Sequence, residues 1–147
     1  MPIKQLVEHV VFDYKMVVAA NNISLHTVLE NALVEVDKES VKIVIRNVLD
    51  NAVKYGGEAI EITTGIASDT YAFISIKDNG VGMSQDKLDR INSLTNLSID
   101  KIDRAKGVGL GVILCHTLIK KNKGVLTFNS EPNKGTTVRI ELPGVAV

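Results

Sequence analysis

The spacing of apolar residues changes from one segment of the chain to the next. In several stretches an apolar residue recurs every three or four positions, which is the period of a helix with one buried face. Asn21 and Asn22 stop the first stretch, and Asp37 stands where an N-cap would begin the second. The helices predicted in this way cover residues 6–18, 38–55, 84–94 and 108–124.

Other segments are short apolar runs or alternate between apolar and polar residues, and both patterns are typical of strands. They cover residues 23–30, 33–36, 59–66, 71–77, 125–130 and 136–142. In the last segment apolar residues alternate with Thr137, Arg139 and Glu141, which indicates a sheet covered on one face only. Helices on one face of a mixed, mostly antiparallel sheet form a two-layer α/β sandwich, so the predicted fold class is α+β.

Composition excludes more functions than it supports. The chain of 147 residues is long enough for one domain, and we expect a single domain that belongs to a longer protein. Its 17 basic residues balance its 17 acidic ones, so no bulk charge favours a nucleic acid or a membrane. The single Cys115 excludes an intrachain disulfide and suits a reducing compartment, so we expect a cytoplasmic domain, with room for a membrane anchor elsewhere in the parent protein.

A polar stripe runs along the predicted helix 38–55. Asn47, Asn51 and Lys54 are spaced i, i+4 and i+7 and share a face, with Tyr55 between that face and the apolar one. Asparagine competes with the helix backbone for hydrogen bonds, so two on one stripe require a reason. A solvated face is one reason. The other is chemical, because amide oxygens suit Mg²⁺ and a lysine suits phosphate.

An acidic box follows the predicted strand 71–77. Asp78 ends an apolar strand, and Gly80 and Gly82 come directly after it. By itself this pattern is a turn, since Asp-Asn-Gly favours turns strongly. The same glycines also allow backbone to approach a ligand closely beside the carboxylate.

A second glycine box precedes the predicted helix 108–124. Gly107, Gly109 and Gly111 lead into an apolar run, and a helix N-terminus of this kind offers free N–H groups to a phosphate. A glycine hinge that packs the helix closely would look the same. The spacing fits neither the Rossmann fingerprint nor the Walker motif, because Val112 replaces the last glycine of the first and the second requires Gly-Lys-Ser/Thr.

The three boxes, at residues 47–55, 78–82 and 107–111, resemble in order and spacing the catalytic ATP-binding domain of bacterial sensor histidine kinases. That domain belongs to the superfamily of DNA gyrase, Hsp90 and MutL, and the resemblance implies its Bergerat fold. It also implies binding of Mg·ATP and donation of the γ-phosphate to a histidine on a separate dimerisation domain. A response regulator would be an indirect partner, and no nucleic acid or membrane would contact this domain.

The resemblance assigns roles to individual residues. Asn51 is the implied magnesium ligand, and Asp78 accepts the exocyclic amine of adenine. Asn47 stands where gyrase-like ATPases carry a glutamate that activates water, and an amide cannot take up that proton, which favours transfer over hydrolysis. Asn47 and Lys54 are the implied catalytic residues, and the nucleotide-binding set is Asn51, Lys54, Tyr55, Asp78, Gly80, Gly82, Arg104, Lys106, Gly107, Gly109, Leu110 and Gly111.

Residues 96–106 are polar, and we expect a lid over the nucleotide that carries Arg104 and Lys106. The segment 83–106 contains no phenylalanine, which departs from the lid that such kinases often have. His9, His26 and His116 lack the context of a phosphoacceptor, so we expect the acceptor to lie elsewhere. The turn 133–136 resembles the family's terminal hairpin and shows no evident chemistry.

Two other functions stay open at this point. One is an anti-sigma factor with serine kinase activity from the same superfamily, which binds a protein partner directly. The other is a non-catalytic module that uses ATP only to order its lid. The predicted elements at residues 6–36 fit the segment that follows the dimerisation helices of a kinase, which favours the histidine kinase.

Overall fold

The computed structural model describes residues 1–55, 57–93 and 110–145. The predicted lid therefore lies outside the described residues. The helices are α1 (Ile3–Ala20), α2 (Lys38–Tyr55), α3 (Gln85–Ser93) and α4 (Leu110–Lys121). The strands are β1 (Ser24–Leu29), β2 (Leu33–Val34), β3 (Ala59–Ser68), β4 (Tyr71–Asp78), β5 (Val125–Glu131) and β6 (Gly135–Val145). Each predicted element is confirmed, and the main differences are a longer α1, a shorter β2 and a longer β6.

The strands form one mixed sheet that is mostly antiparallel, as the pattern predicts. β3 pairs with β1 in parallel and with β4 in antiparallel orientation. β6 lies between β4 and β5, and its last two residues pair with β2. Because β6 contacts three strands, its position fixes the relative position of the acidic box and the C-terminal hairpin.

One face of the sheet is covered by helices, and the other faces solvent. On the open face the guanidinium of Arg139 lies 4.3 Å from the centroid of the Phe73 ring, and its Nε donates to Glu141 at 3.1 Å. Through these contacts the long side chains of the open face pack against one another, on the side of the sheet that the described helices do not cover. On the covered face the buried side chains of the strands include Ile60, Ile62, Ala72, Ile74, Ile76, Leu126, Val138, Ile140 and Leu142.

Polar contacts tie α1 to α2 above this core. The Tyr14 hydroxyl donates to the Asp50 carboxylate and to the Arg46 carbonyl, the latter at 3.1 Å. Burial, together with the bond to Asp50, raises the pKa of Tyr14. One turn away, the Lys42 amine lies 2.9 Å from Nδ1 of His9. α2, which carries the polar stripe, is therefore held from the α1 side along two turns.

The predicted helix ends are confirmed by local contacts. Asn21 is the C-cap of α1, and Asn22 follows with a φ of 55°. At the start of α2 the Ser40 hydroxyl donates to Asp37 at 2.6 Å, and at the start of α3 the Ser84 hydroxyl accepts the backbone N–H of Lys87 at 3.3 Å. Within the described residues no helix is long and apolar enough to cross a membrane.

Candidate functional site

A cavity of about 520 Å³ opens between α2, α3, α4 and the ends of β4 and β6. It brings together predicted residues from two of the three boxes, namely Asn47, Asn51, Tyr55, Asp78 and Gly82. Its volume lies in the range of about 300–1,000 Å³ that is usual for small-molecule sites. The apolar part of its wall consists of Val48, Ala52, Val81, Met83, Ile91, Val112, Phe128 and Val138.

Asp78 is held by backbone donors on one side only. Its Oδ1 accepts the N–H of Gly80 at 3.0 Å and the N–H of Thr136 at 3.2 Å. Its Oδ2 has no hydrogen-bond partner among the described residues. The half-buried carboxylate is thus fixed in orientation, and one oxygen stays available to a ligand.

The next residue, Asn79, closes the turn that follows α2. Its Oδ1 accepts the N–H of Glu58 at 3.0 Å and that of Ala59 at 2.9 Å. Gly57 has a φ of 76°, and a Cβ there would lie 2.8 Å from the same oxygen. The acidic box and the end of α2 are therefore parts of one connected structure, although they are more than twenty residues apart.

The turn between β5 and β6 also builds the site. Met83 N–H donates to the Ser130 hydroxyl at 2.8 Å. Gly82 has a φ of 68°, and a Cβ there would lie 1.9 Å from the carbonyl oxygen of Glu131, so only glycine fits. The turn 133–136, for which the sequence indicated no chemistry, thus supports the acidic box and supplies the Thr136 N–H to Asp78. No local signal predicts this contact, since its partners are 58 positions apart.

The polar stripe of α2 divides into residues with different surroundings. Asn47 is half-buried, and its Oδ1 lies 2.5 Å from the point where a Cβ on Gly111 would stand. Gly111 thus packs closely against Asn47, and its predicted contact with phosphate stays a prediction. Asn51 is exposed and lines the cavity. Lys54 does not line it, and its amine lies 5.4 Å from the centroid of the Tyr55 ring.

The remaining predicted residues are placed only in part. Gly80 is buried and donates its N–H to Asp78. Leu110 is the first residue of α4, and the structure does not describe its side chain. Arg104, Lys106, Gly107 and Gly109 lie outside the described residues, so their proposed contacts with phosphate stay predictions.

Cys115 and His116 sit side by side on α4 and are both buried. Cys115 lines the cavity, and burial raises the pKa of its thiol to about 12, so it stays protonated at neutral pH. His116 donates its Nε2–H to the carbonyl of Ile91 at 3.0 Å and packs its ring 5.9 Å from that of Phe128. Burial lowers the pKa of His116, and the bond to Ile91 partly opposes this effect. Both residues are structural, as the sequence predicts.

Residues 36–146 match the sequence model of the family described as histidine kinase-, DNA gyrase B- and HSP90-like ATPase. The match covers more than half of the chain. The chain therefore belongs to this family, and it is an ATP-binding domain of the type that the three boxes predicted.

Among individual relatives, the sensor protein EvgS of Escherichia coli K12 is 34% identical over 150 residues, which is 96% of this chain and 12% of EvgS. The mycobacterial sensor histidine kinase MprB has the same fold, with a TM-score of 0.79, 19% identity and coverage of 100% of this chain and 99% of that one. Full-length ShkA in complex with AMPPNP follows, with a TM-score of 0.78, 20% identity and coverage of 99% and 30%. The resemblance and the fold predicted from the sequence are confirmed.

The buried His116 generates a prediction about pH. Because its pKa is lowered in the folded chain, the unfolded chain takes up a proton first as the pH falls below the ordinary value of 6.5. Stability present above that pH is therefore lost below it, by at most about 1.4 kcal/mol per pH unit for one proton. His116→Gln should flatten this part of the pH profile. Urea unfolding between about pH 5 and pH 8 measures it.

His26→Gln is the matched control, because His26 is exposed on β1. Its profile should follow that of the unmodified chain. A slope that is unchanged in His116→Gln, or equally reduced in the control, would show that His116 does not carry the pH dependence.

Proposed function

We propose that the cavity binds Mg·ATP and that the domain donates the γ-phosphate to a histidine on a separate dimerisation domain of a sensor histidine kinase. The observation that carries this proposal is the geometry of Asp78. Two backbone N–H groups fix Oδ1, and Oδ2 has no partner among the described residues. A carboxylate held in this way accepts the exocyclic amine of adenine and repels the carbonyl oxygen that guanine has at the same place.

The rest of the cavity suits a purine. Its wall includes Ala52, Met83 and Val138, which provide apolar contact to a flat ring, and the backbone of Gly82 leaves room beside them. Tyr55 is 57% exposed and lines the cavity at the end of α2, where its ring can cover the ligand. The half-buried carboxylate of Asp78 gives a directed polar contact beside these apolar side chains, and a few such polar groups are how binding sites achieve specificity.

The residues on α2 fit magnesium. Asn51 is exposed toward the cavity and offers a neutral amide oxygen, and Mg²⁺ usually takes one or two protein ligands and completes its shell with phosphate and water. Among the described residues no three or more histidine, cysteine, aspartate or glutamate side chains are grouped to hold a metal, so the proposed ligand is the amide. When bound, the ion would neutralise charge on the phosphates.

The chain's own residues favour transfer over hydrolysis. Asn47 lines the cavity, but its amide cannot take a proton from water. Asp78 is held by the N–H of Thr136 at the end of the cavity proposed for adenine. His9, His26 and His116 do not line the cavity, and His116 is buried against Ile91. The nucleophile in this proposal is therefore a histidine of another domain, and a response regulator receives the phosphoryl group after it.

The names of the related proteins also support this proposal. EvgS is named a sensor protein, and MprB a sensor histidine kinase. The ShkA structure holds AMPPNP, an ATP analogue. Since the chain spans 12% of EvgS, the dimerisation domain and the response regulator are inferred partners.

Replacing the carboxylate at the base end should change base selectivity. We expect the unmodified chain to bind an ATP analogue about 10- to 100-fold more tightly than the GTP analogue, because guanine leaves the acceptor unpaired, at a cost of about 1–3 kcal/mol. In Asp78→Asn the amide can turn its N–H₂ to the ligand, so the gap should narrow. Titration calorimetry measures both affinities, with Asp86→Asn on the exposed side of α3 as control. Equal affinities in the unmodified chain would contradict the role of Asp78.

Removing the amide of Asn51 should abolish the gain in affinity that Mg²⁺ gives. The fold should be intact, because alanine is a better helix former than asparagine at an exposed position. Calorimetry with and without Mg²⁺ measures the gain in Asn51→Ala and in Asn129→Ala, a control on the exposed face of β5. If Asn51→Ala keeps the full gain, the metal is bound elsewhere.

The transfer reaction itself should require a second domain. Incubated alone with γ-labelled ATP, the chain should not label itself, because none of its histidines has the context of a phosphoacceptor. It should also release little phosphate, because losing a general base costs about 10²–10⁴-fold in rate. Adding the cognate dimerisation domain should give rapid labelling of a histidine, which is acid-labile and alkali-stable. Rapid labelling of the chain's own histidines, or brisk phosphate release, would refute the proposal. Label on serine would instead support the anti-sigma factor.

A further inference from the structure

Lys87 carries the cationic side chain that lines the cavity in the described part of the chain. Among the described lining residues it is the one lysine or arginine, and Asp78 is the one acid. Lys87 lies on α3 and belongs to none of the three boxes. Its side chain is exposed, whereas Ile91, one turn further along the same helix, is buried in the wall of the cavity. Lys87 therefore lies on the solvent side of the cavity.

The packing of α3 against the core fixes which face of the helix carries Lys87. Leu88 and Ile91 are buried, with 6% and 3% of their surface exposed, and anchor the helix on the core. Lys87 and Ile91 are four positions apart, so they project from the same side of the helix. The backbone N–H of Lys87 is bound by the Ser84 hydroxyl in the first turn. The packing of Leu88 and Ile91 in the core, and not a contact made by Lys87, therefore decides which face of α3 meets the cavity.

The ammonium group of Lys87 has no ion-pair partner within residues 1–55, 57–93 and 110–145. The nearby carboxylate of Asp89 accepts a hydrogen bond from Gln85 on the same helix at 2.8 Å. Lys54, by contrast, is stacked over Tyr55. In the described part of the chain, the lysine that lines the cavity without an ion-pair partner is therefore Lys87.

We propose that Lys87 binds the phosphate chain of the nucleotide and sets the preference of the cavity for nucleotides over nucleosides. The ammonium group is a compact charge that suits phosphate and has no acceptor to offer the amine of a base. Asp78 reads the base, so the anionic part of the same ligand is the part that a cation on the solvent side attracts. This inference rests on the proposed function and adds a binding residue to it.

The test compares ligands that differ in charge. Titration calorimetry measures binding of a non-hydrolysable ATP analogue and of adenosine to the unmodified chain, Lys87→Ala and Lys87→Arg. We expect Lys87→Ala to weaken the ATP analogue about tenfold, since a charge-assisted hydrogen bond is lost, and to change adenosine by less than about twofold. Lys87→Arg should restore most of the affinity. Lys121→Ala, which removes an exposed charge in the last turn of α4, should leave both ligands unchanged.

Salt gives a second readout, which a purely structural effect would not change. The advantage of the ATP analogue over adenosine should fall with rising salt, and it should fall less steeply in Lys87→Ala. Equal weakening of both ligands, or no weakening of either, would overturn the role of Lys87. If the unmodified chain binds the ATP analogue and Lys87→Ala binds it equally well, only this inference fails. If the unmodified chain binds no ATP analogue, the proposed function itself fails, and this inference with it.

Discussion

The pairing of β6 with β4 is the constraint on which the rest of the site depends. Lys77 lies opposite Thr137, and this register brings the backbone N–H of Thr136 to 3.2 Å from the carboxylate of Asp78. A slip of one residue would turn the buried face of β6 to solvent and would remove that donor. The hydrophobic core therefore holds the register, and the register holds the carboxylate. A hydrogen bond to a charged group contributes about 1.5–3 kcal/mol, so the core and the site stabilise each other.

The opposite side of the cavity depends on helix packing instead. α1 holds α2 through Tyr14, whose hydroxyl donates to the carbonyl of Arg46 at 3.1 Å. From the other side α4 approaches so closely that a Cβ on Gly111 would displace the side-chain amide of Asn47. The stripe that carries Asn51 is thus fixed between two helices. Sheet register and helix packing thus place the two walls of the cavity, and Asn79 joins the walls through the turn that follows α2.

The sequence predicts the fold well because each element has its own local signal. The periods of apolar residues locate the helices and strands, and the alternation in β6 indicates the open face of the sheet. Asp78 and Asn51 were found through their boxes, and the cavity brings them together. Thr136 was missed because its contact spans 58 positions and uses only a backbone N–H, which any residue but proline offers. No sequence signal marks Lys87 for its proposed role, because one lysine on an amphipathic helix has the same pattern as a solvated face.

In the proposed complex the charges of the cavity favour one orientation of the nucleotide. Asp78 accepts an amine and repels an anion, and Lys87 on the solvent side does the opposite. A nucleotide bound in reverse would place its phosphates against a carboxylate and its base near an unpaired cation. At the phosphate end, the protein groups would be Lys87 and the amides of Asn47 and Asn51, and the amides neither take up nor release a proton at neutral pH. The domain would therefore position the phosphate without activating water, and the reaction would begin only when another domain supplies the nucleophile.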